Sequence, residues 1–296
     1  MNMNAISVSR DGKWVVCGTM AGASVWDAEL REKVAVAEAA NEVGAVDVSP
    51  DSSRFATGTD GEGNVWGITT GERLVGPLKC DARVNGVRFS PNGKQIAISD
   101  YAAVRIFDSR TGDRLIDIAT FPRKIFPITP LAWPSDGQRI FVQSEDSKIK
   151  SFAASTGSRL AESPGLNDDH SISLSGNGKF IATVADHAVS FLDTCTLAKI
   201  GTAIEDSERM WSISVSSDSS LIAIGRRDGK VIIHNLANFV PDSYGPFHVS
   251  TRPCIVRINT ILFPILTTTL DIHSRGTTTR RGTADLWKPC RQTTWL

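Results

Sequence analysis

Short apolar runs alternate with turns rich in serine, aspartate, asparagine and glycine along most of the chain, and this pattern recurs every 40 to 44 residues. Each repeat contains one turn similar to Ser-Pro-Asp-Gly. These turns start at Ser9, Ser49, Ser90, Pro134, Ser175 and Ser216. A period of this length with short strands predicts one four-stranded sheet per repeat, which cannot bury its faces without neighbouring copies.

Two adjacent positions after each turn are apolar in all six repeats. The first position holds Val15, Phe55, Ile96, Ile140, Ile181 and Ile222, and the second holds Val16, Ala56, Ala97, Phe141, Ala182 and Ala223. Apolar runs without strict alternation are typical of strands that are buried on both faces. We therefore expect these residues in the second strand of each sheet, packed between neighbouring sheets.

A tight turn and a third strand follow. The turn contains an aspartate in five repeats, and these residues are Asp60, Asp100, Asp146, Asp186 and Asp228. Aspartate suits tight turns because its carboxylate accepts hydrogen bonds from nearby backbone amides. The third strands contain pairs such as Val25-Trp26 and Val65-Trp66, and both tryptophans are predicted to lie in the core. Residues 31–40 have helical propensity, but the repeat places a fourth, outer strand there.

This arrangement predicts an all-β propeller, with seven blades favoured over six. Residues 1–249 supply six clear repeats, and residues 250–296 supply a degenerate seventh blade or an atypical tail. Residues 280–287 align with the third strand of the sixth repeat, and residues 293–296 then pair with the first blade. The alternative is that residues 256–274 are not native coding sequence, for instance a retained intron. The chain is then a six-bladed ring or an open fragment.

These residues resemble WD-repeat proteins over at least residues 4–249. Residues 65–78 are similar to the fungal arrays that follow NACHT-type nucleotide-binding domains. The family's glycine-histidine pair is missing, because its second position holds Ala39, Cys80, Lys124, Gly165 or Asp206. The buried network of histidine, serine or threonine, aspartate and tryptophan that the resemblance implies therefore cannot form in full. Each lost hydrogen bond costs about 1 kcal/mol, so we expect apolar packing to dominate.

Charge and cysteine content narrow the class of protein. The 32 basic and 32 acidic residues cancel, so no global field favours nucleic acid or an anionic membrane. Five scattered cysteines with no CxxC spacing argue against disulfides or a zinc site and favour a reducing, cytoplasmic location. The first twelve residues do not resemble a secretion signal. The most lipophilic stretch, residues 255–270, is too short and polar to span a bilayer.

Candidate catalytic chemistry is sparse. The five histidines lie apart without metal-ligand spacing, and no nucleotide-binding, metalloprotease or hydrolase motif is found. Asp186-His187 falls on the repeated turn, and residues 168–170 form an acidic-histidine cluster in a predicted loop, so we interpret both as structural or solvated. We predict no catalytic residue, metal or cofactor. The alternative class is a propeller hydrolase or lyase with a site at the central channel.

Binding is the stronger hypothesis. Five residues before each turn lies a variable column: Asn4, Gly44, Asn85, Thr129, His170 and Trp211. Such variation fits a surface shaped for one ligand, or a surface under no constraint. The candidate binding residues are Arg209, Met210, Trp211, His170, Asn85, Arg123 and Lys124. Arginine, methionine and tryptophan are favoured at the centres of interfaces. The alternative is that Trp211 packs against the next blade.

We therefore expect a non-enzymatic platform that presents a rigid ring of loops to a protein or peptide partner, with neither nucleic acid nor membrane as partner. By resemblance, one version is the ligand-sensing region of a fungal nucleotide-binding receptor, and thus part of a larger multidomain protein or complex. A free-standing scaffold subunit is the other version.

Overall fold

The computed structural model describes residues 3–118, 131–144, 148–165, 169–245 and 270–272, and within these the fold is a series of antiparallel β-meanders. We refer to the strands of each repeat as one blade. Blade 1 comprises β1 (Met3–Val8), β2 (Trp14–Thr19), β3 (Gly22–Asp27) and β4 (Lys33–Ala37). Blade 2 comprises β5 (Ala45–Val48), β6 (Arg54–Gly58), β7 (Asp60–Gly67) and the first half of β8 (Arg73–Phe89). Blade 3 comprises the second half of β8, β9 (Gln95–Asp100), β10 (Val104–Asp108) and β11 (Arg114–Ile118).

Blades 4 to 6 follow the same order. Blade 4 comprises β12 (Leu131–Ala132), β13 (Arg139–Ser144), β14 (Lys148–Ala153) and β15 (Arg159–Glu162). Blade 5 comprises β16 (Asp169–Leu174), β17 (Phe180–Ala185), β18 (Ala188–Asp193) and β19 (Lys199–Glu205). Blade 6 comprises β20 (Met210–Val215), β21 (Leu221–Arg226), β22 (Val231–Asn235) and β23 (Leu270–Ile272). Two short 3₁₀ helices, Leu236–Asn238 and Asp242–Tyr244, follow β22.

Two strands depart from a simple meander. Strand β8 is continuous from the outer edge of blade 2 to the inner edge of blade 3, so these two blades form one seven-stranded sheet. Strand β23 pairs with β22 in parallel, whereas the fourth strands of blades 1 to 5 are antiparallel to their neighbours. The expected outer strand within residues 31–40 is confirmed as β4, so blade pairing overrides the local helical propensity.

The repeated serine turn is explained by its hydrogen bonds. In blade 2 the Ser49 hydroxyl donates to Asp51 Oδ1 at 2.6 Å and accepts from the Arg54 backbone N–H at 3.0 Å. The Ser216 hydroxyl of blade 6 makes the matching bonds to Asp218 and Leu221 at 2.6 and 2.9 Å. The turn thus satisfies the first amide of the second strand and fixes where that strand begins.

Apolar clusters join each blade to the next. Both predicted columns lie in the second strands, and five of the six residues of the first column are fully buried. One cluster contains Val16 and Val25 of blade 1 with Phe55 and Trp66 of blade 2, and four further clusters join blades 2 through 6 in order. Packing between neighbouring sheets therefore forms the core, as the sequence predicted.

The two third-strand tryptophans have different environments. Trp66 is 6% exposed and donates from Nε1 to Thr57 Oγ1 at 2.8 Å, as expected for a core residue. The prediction for Trp26 is wrong, because this side chain is 38% exposed and its Nε1 donates to Ser24 Oγ. Both tryptophans point toward the preceding blade. Blade 1 has no preceding blade among the described residues, so Trp26 is not covered there.

The turn aspartates occupy the connection between second and third strands where the structure describes them. Asp60, Asp100, Asp186 and Asp228 all lie at this hairpin, and Asp186 has a positive φ of 52°. Asp146 lies outside the described residues.

Candidate functional site

The variable column lies at one recurring backbone irregularity. In blades 1, 3, 5 and 6 the pairing of the first and second strands is interrupted by a β-bulge, in which one extra residue of the first strand has no partner. The four extra residues are Asn4, Asn85, His170 and Trp211. A bulge leaves its extra residue outside the ladder and redirects its side chain. In these four blades the column residue therefore lies at the same end of the first strand, beside the hairpin that joins the second and third strands.

Trp211 is the large exposed residue of this column, with 41% of its surface accessible. Backbone hydrogen bonds fix the segment around it. The N–H of Met210 donates to the carbonyl of Asp186 at 2.7 Å, and the N–H of Arg227 donates to the carbonyl of Arg209 at 2.7 Å. The start of β20, which contains Trp211, is thus tied to a hairpin of blade 5 and a hairpin of blade 6, so an exposed aromatic ring lies on a hydrogen-bonded backbone.

Ionisable side chains belong to the residues whose backbones bind this segment, or lie next to them in sequence. The Nε atom of Arg209 lies 2.8 Å from Oδ1 of Asp186, and Nε2 of His187 lies 3.6 Å from Oδ2 of the same carboxylate. All three side chains are substantially exposed, so the ion pair is worth at most about 1 kcal/mol. We name Asp186, His187, Arg209, Trp211 and Arg227 the Trp211 surface.

The other predicted binding residues do not all join this surface. Met210 is 1% exposed and packs in the cluster between blades 5 and 6, so it is a core residue rather than an exposed contact. Asn85 is 7% exposed, and its Oδ1 accepts a 2.7 Å hydrogen bond from the Ser99 hydroxyl. His170 lies in β16, and its side chain lies outside the described part of the structure. Arg123 and Lys124 lie outside the described residues.

A buried ionic cluster in blade 3 was not predicted. The guanidinium of Arg105 is fully buried and pairs with the carboxylates of Asp100 and Asp81. Asp100 Oδ1 also accepts from the backbone N–H groups of Ala102 and Ala103, both at 2.7 Å. The cluster connects the hairpin of blade 3 to the segment that enters it. It therefore occupies a region where the resemblance implies a histidine network.

A second cluster of this kind lies in blade 6. Arg226 contacts Asp206 at 3.2 Å and Asp228 at 2.8 Å. Burial raises the pKa of Asp228, but the Lys230 backbone N–H and the Arg226 charge outweigh it, so this pKa lies below its ordinary value. An arginine in the second or third strand, with aspartates in the hairpin and the entering loop, is the sequence signal for both clusters.

A cavity of about 820 Å³ opens at the opposite end of the first strands, where all six repeats contribute residues. Three charged side chains of its lining are paired or hydrogen-bonded, because Arg88 contacts Asp47 at 3.0 Å and Asp218 accepts from the Ser216 hydroxyl at 2.6 Å. Among the residues that the structure describes, no group of three or more histidine, cysteine, aspartate or glutamate side chains is arranged to hold a metal ion. Within the same residues, no helix is long and apolar enough to cross a bilayer.

Packed four-stranded blades with variable positions at one end define a repeat propeller. Comparison with known proteins supports the same fold class. No family model matches the chain. It is 30% identical over 118 residues to the small ribosomal subunit protein RACK1y of Oryza sativa, covering 38% of this chain and 35% of that protein. It is 27% identical over 177 residues to eukaryotic translation initiation factor 3 subunit I of Aspergillus terreus, covering 54% of this chain and 52% of that protein. It is 19% identical over 236 residues to the intraflagellar transport protein 122 homolog of Danio rerio, covering 78% of this chain and 20% of that protein.

These relatives are WD-repeat proteins, so the predicted fold class, an all-β propeller of the WD-repeat type, is confirmed. The chain spans about a third of the length of the RACK1 relatives and about half of the initiation factor subunit. The fungal NACHT-associated context and the number of blades stay predictions.

Proposed function

We propose that this chain is a non-catalytic protein-interaction platform and that the Trp211 surface is its main contact region. The single observation behind this proposal is the combination of a 41% exposed tryptophan with a backbone tied to two hairpins. An exposed ring on a fixed backbone loses little entropy when a partner covers it, and tryptophan is enriched among the residues that dominate binding energy. The relatives, named as a small ribosomal subunit protein, a subunit of translation initiation factor 3 and an intraflagellar transport protein, support the same class of function.

The partner that fits is a protein or peptide with an apolar side chain for Trp211 and polar groups for its rim. Asp186 and Arg209 already pair with each other, and this pair, together with Arg227, offers both signs of charge at the edge. Such a rim contributes orientation more than affinity. We propose that the partner is neither nucleic acid nor membrane and that no cofactor is bound. We also propose a cytoplasmic location.

Two versions of this function stay open to experiment. In one, the chain is the ligand-sensing region of a larger fungal nucleotide-binding receptor, and in the other it is a separate scaffold subunit. Sequencing the complete transcript distinguishes them, because only the first version requires a nucleotide-binding domain in the same reading frame.

Replacing Trp211 with alanine tests the contact region. The immobilised wild-type chain is compared with Trp211→Ala and with Leu115→Ala, which removes a similarly exposed apolar side chain from an outer strand. We expect Trp211→Ala to weaken the affinity for partners captured from the native cell extract tenfold or more, which is about 1.4 kcal/mol of binding free energy. Leu115→Ala should leave this affinity unchanged. Melting temperatures of all three proteins should agree. Equal capture by all three, or unfolding of Trp211→Ala alone, would contradict the proposal.

A further inference from the structure

A turn that follows blade 6 is bound by three polar side chains on the surface of blade 5. The Tyr244 hydroxyl donates to Oδ2 of Asp193, the last residue of β18, at 3.1 Å. The carbonyl oxygen of Tyr244 accepts from Asn177 Nδ2 at 2.7 Å, and the carbonyl oxygen of Ser243 accepts from Lys179 Nζ at 3.1 Å. Blade 5 thus recognises a tyrosine-containing turn by its phenol and by two main-chain carbonyls.

Blade 3 has the same three side chains at the same positions, two repeats earlier. The residues that correspond to Asn177, Lys179 and Asp193 are Asn92, Lys94 and Asp108. Each asparagine and lysine belongs to an Asn-Gly-Lys sequence in the serine turn, and each aspartate ends the third strand. None of the other four described blades combines Asn-Gly-Lys with this aspartate. We name Asn92, Lys94 and Asp108 the blade 3 site.

The asparagine has the same orientation in both copies. Asn92 Oδ1 accepts from the Ser90 hydroxyl at 2.8 Å and from the Lys94 backbone N–H at 3.0 Å. In blade 5 the matching bonds to Asn177 Oδ1 are 2.9 and 3.0 Å long. Because Oδ1 of each asparagine is held within its own turn, Nδ2 is the atom left for an external acceptor, as Asn177 shows with Tyr244.

The aspartate is held in the same way in both copies. Asp108 Oδ1 accepts from two backbone N–H groups of the following turn at 2.8 and 2.9 Å, and Asp193 Oδ1 does so at 2.9 and 2.7 Å. An arginine of the preceding blade, Arg54 or Arg139, donates to the carbonyl of the residue after the aspartate, at 2.9 or 3.2 Å. The second carboxylate oxygen, which binds the phenol in blade 5, therefore has the same setting in blade 3.

The blade 3 site is accessible in the described part of the structure. Asn92 and Lys94 are exposed and Asp108 is half-buried. No described residue bonds to Asn92 Nδ2, Lys94 Nζ or Asp108 Oδ2. The two copies differ because the chain leaves β22 of blade 6 through the 3₁₀ helices that reach blade 5, whereas it leaves β14 of blade 4 directly into β15.

We propose that the blade 3 site binds an exposed tyrosine-containing turn of a partner protein. The phenol donates to Asp108 Oδ2, and the main-chain carbonyls of the tyrosine and of the residue before it accept from Asn92 Nδ2 and Lys94 Nζ. Asp108 pairs with the start of β9, at the serine-turn end of the blade, whereas Trp211 lies beside a hairpin at the other end. The blade 3 site is therefore a contact region separate from the Trp211 surface.

NMR titration of the full ¹⁵N-labelled chain with a synthetic peptide tests this proposal. The peptide is Val-Pro-Asp-Ser-Tyr-Gly with blocked ends, the sequence of residues 240–245. In blade 5 this segment is attached to the chain, so the free peptide binds more weakly and is used at millimolar concentration. We expect a saturable shift of the Asn92 side-chain amide signal and no shift of Asn177. A peptide with phenylalanine in place of tyrosine should bind about tenfold more weakly, the scale of one hydrogen bond to a charged group.

Three variants locate the contact. Asp108→Asn keeps Oδ1 for the turn but removes the Oδ2 acceptor, so it should weaken the tyrosine peptide about tenfold and leave the phenylalanine peptide unchanged. Asp193→Asn is the matched control in blade 5 and should leave peptide affinity unchanged. Asn92→Asp introduces the residue that four other repeats have at this position, so the turn should still fold, and loss of the Nδ2 donor should weaken binding.

Three results would overturn the proposal. The first is an Asn92 signal that does not shift with millimolar peptide. The second is binding that Asp193→Asn abolishes and Asp108→Asn does not, which means that the peptide displaces the chain's own turn from blade 5. The third is an Asn92 signal that shifts with protein concentration alone, which means that a second copy covers the site. Trp211→Ala should not change peptide binding, so this proposal and that for the Trp211 surface fail separately.

Discussion

The buried Arg105 cluster allows a quantitative test of how blade 3 is stabilised. Arg105 is fully buried, and Asp100, its most buried partner, has no exposed side-chain surface. The second partner, Asp81, is largely exposed, and Asp117 lies 4.0 Å from the Arg105 Nε atom. Asp100→Asn keeps the side-chain volume but removes the main negative charge, so a buried guanidinium is left with solvent-exposed partners.

Removing one partner of a buried ion pair costs about 3–5 kcal/mol of unfolding free energy. We expect Asp100→Asn near the lower limit, about 3 kcal/mol, because Asp81 still contacts Arg105. Arg105→Met leaves the Asp100 carboxylate with its backbone N–H donors, so we expect about 2 kcal/mol. The double variant contains neither buried charge. It should lose about 1–3 kcal/mol less than the sum of the single variants.

Urea unfolding of the four proteins, followed by tryptophan fluorescence and circular dichroism, measures these differences provided that the slope with urea is unchanged. Arg114→Ala is the control, because it breaks the exposed Arg114–Asp117 pair and should cost no more than about 1 kcal/mol. If the double variant equals the sum of the single variants, the cluster is not a coupled buried network. Losses no larger than that of Arg114→Ala would also refute the reasoning.

Two further predictions concern packing and reactivity. Gly176→Ala places a Cβ atom 1.9 Å from the Ser217 carbonyl oxygen, so overpacking should lower the free energy of unfolding by about 1–3 kcal/mol. Gly165→Ala is the control, because a Cβ atom there has nothing within 4 Å and should leave stability unchanged. Equal urea midpoints for the two variants would contradict this prediction. Burial raises the pKa of Cys80 to about 12, so its thiol forms little of the reactive thiolate at mildly alkaline pH. Iodoacetamide should therefore alkylate the exposed Cys195 long before Cys80. Similar alkylation rates would show that Cys80 is not buried.

The repeat period was sufficient to predict the strands, because turn chemistry and apolar columns act within one blade. The environment of Trp26 was not predictable in this way, because its burial depends on which blade precedes it and not on its column. Met210 was misjudged for a related reason. The preference of methionine for interface centres does not reveal which face of a strand Met210 occupies. The strand register reveals it, because Met210 pairs with Arg226 beside the bulge at Trp211.

The buried Arg105 cluster shows a different limit of the sequence. The absence of histidine predicts an incomplete family network, but it does not predict that Arg105 connects the same hairpin to the strand that enters blade 3. The Arg105 and Asp100 side chains meet only because β9 and β10 pair across the hairpin. Inferring this cluster therefore needs the strand register as well as the residue types.

The bulge column explains how one scaffold combines fixed blades with a variable surface. The ladder on each side of the bulge continues whatever side chain the extra residue has, so this position is under little backbone constraint. In blade 3 the extra residue, Asn85, is buried and hydrogen-bonded to Ser99. In blade 6 it is Trp211, which is exposed on a backbone of the same type. The side chain at the bulge can thus change without loss of the core, and under the proposed function we expect Trp211 to affect partner binding more than stability.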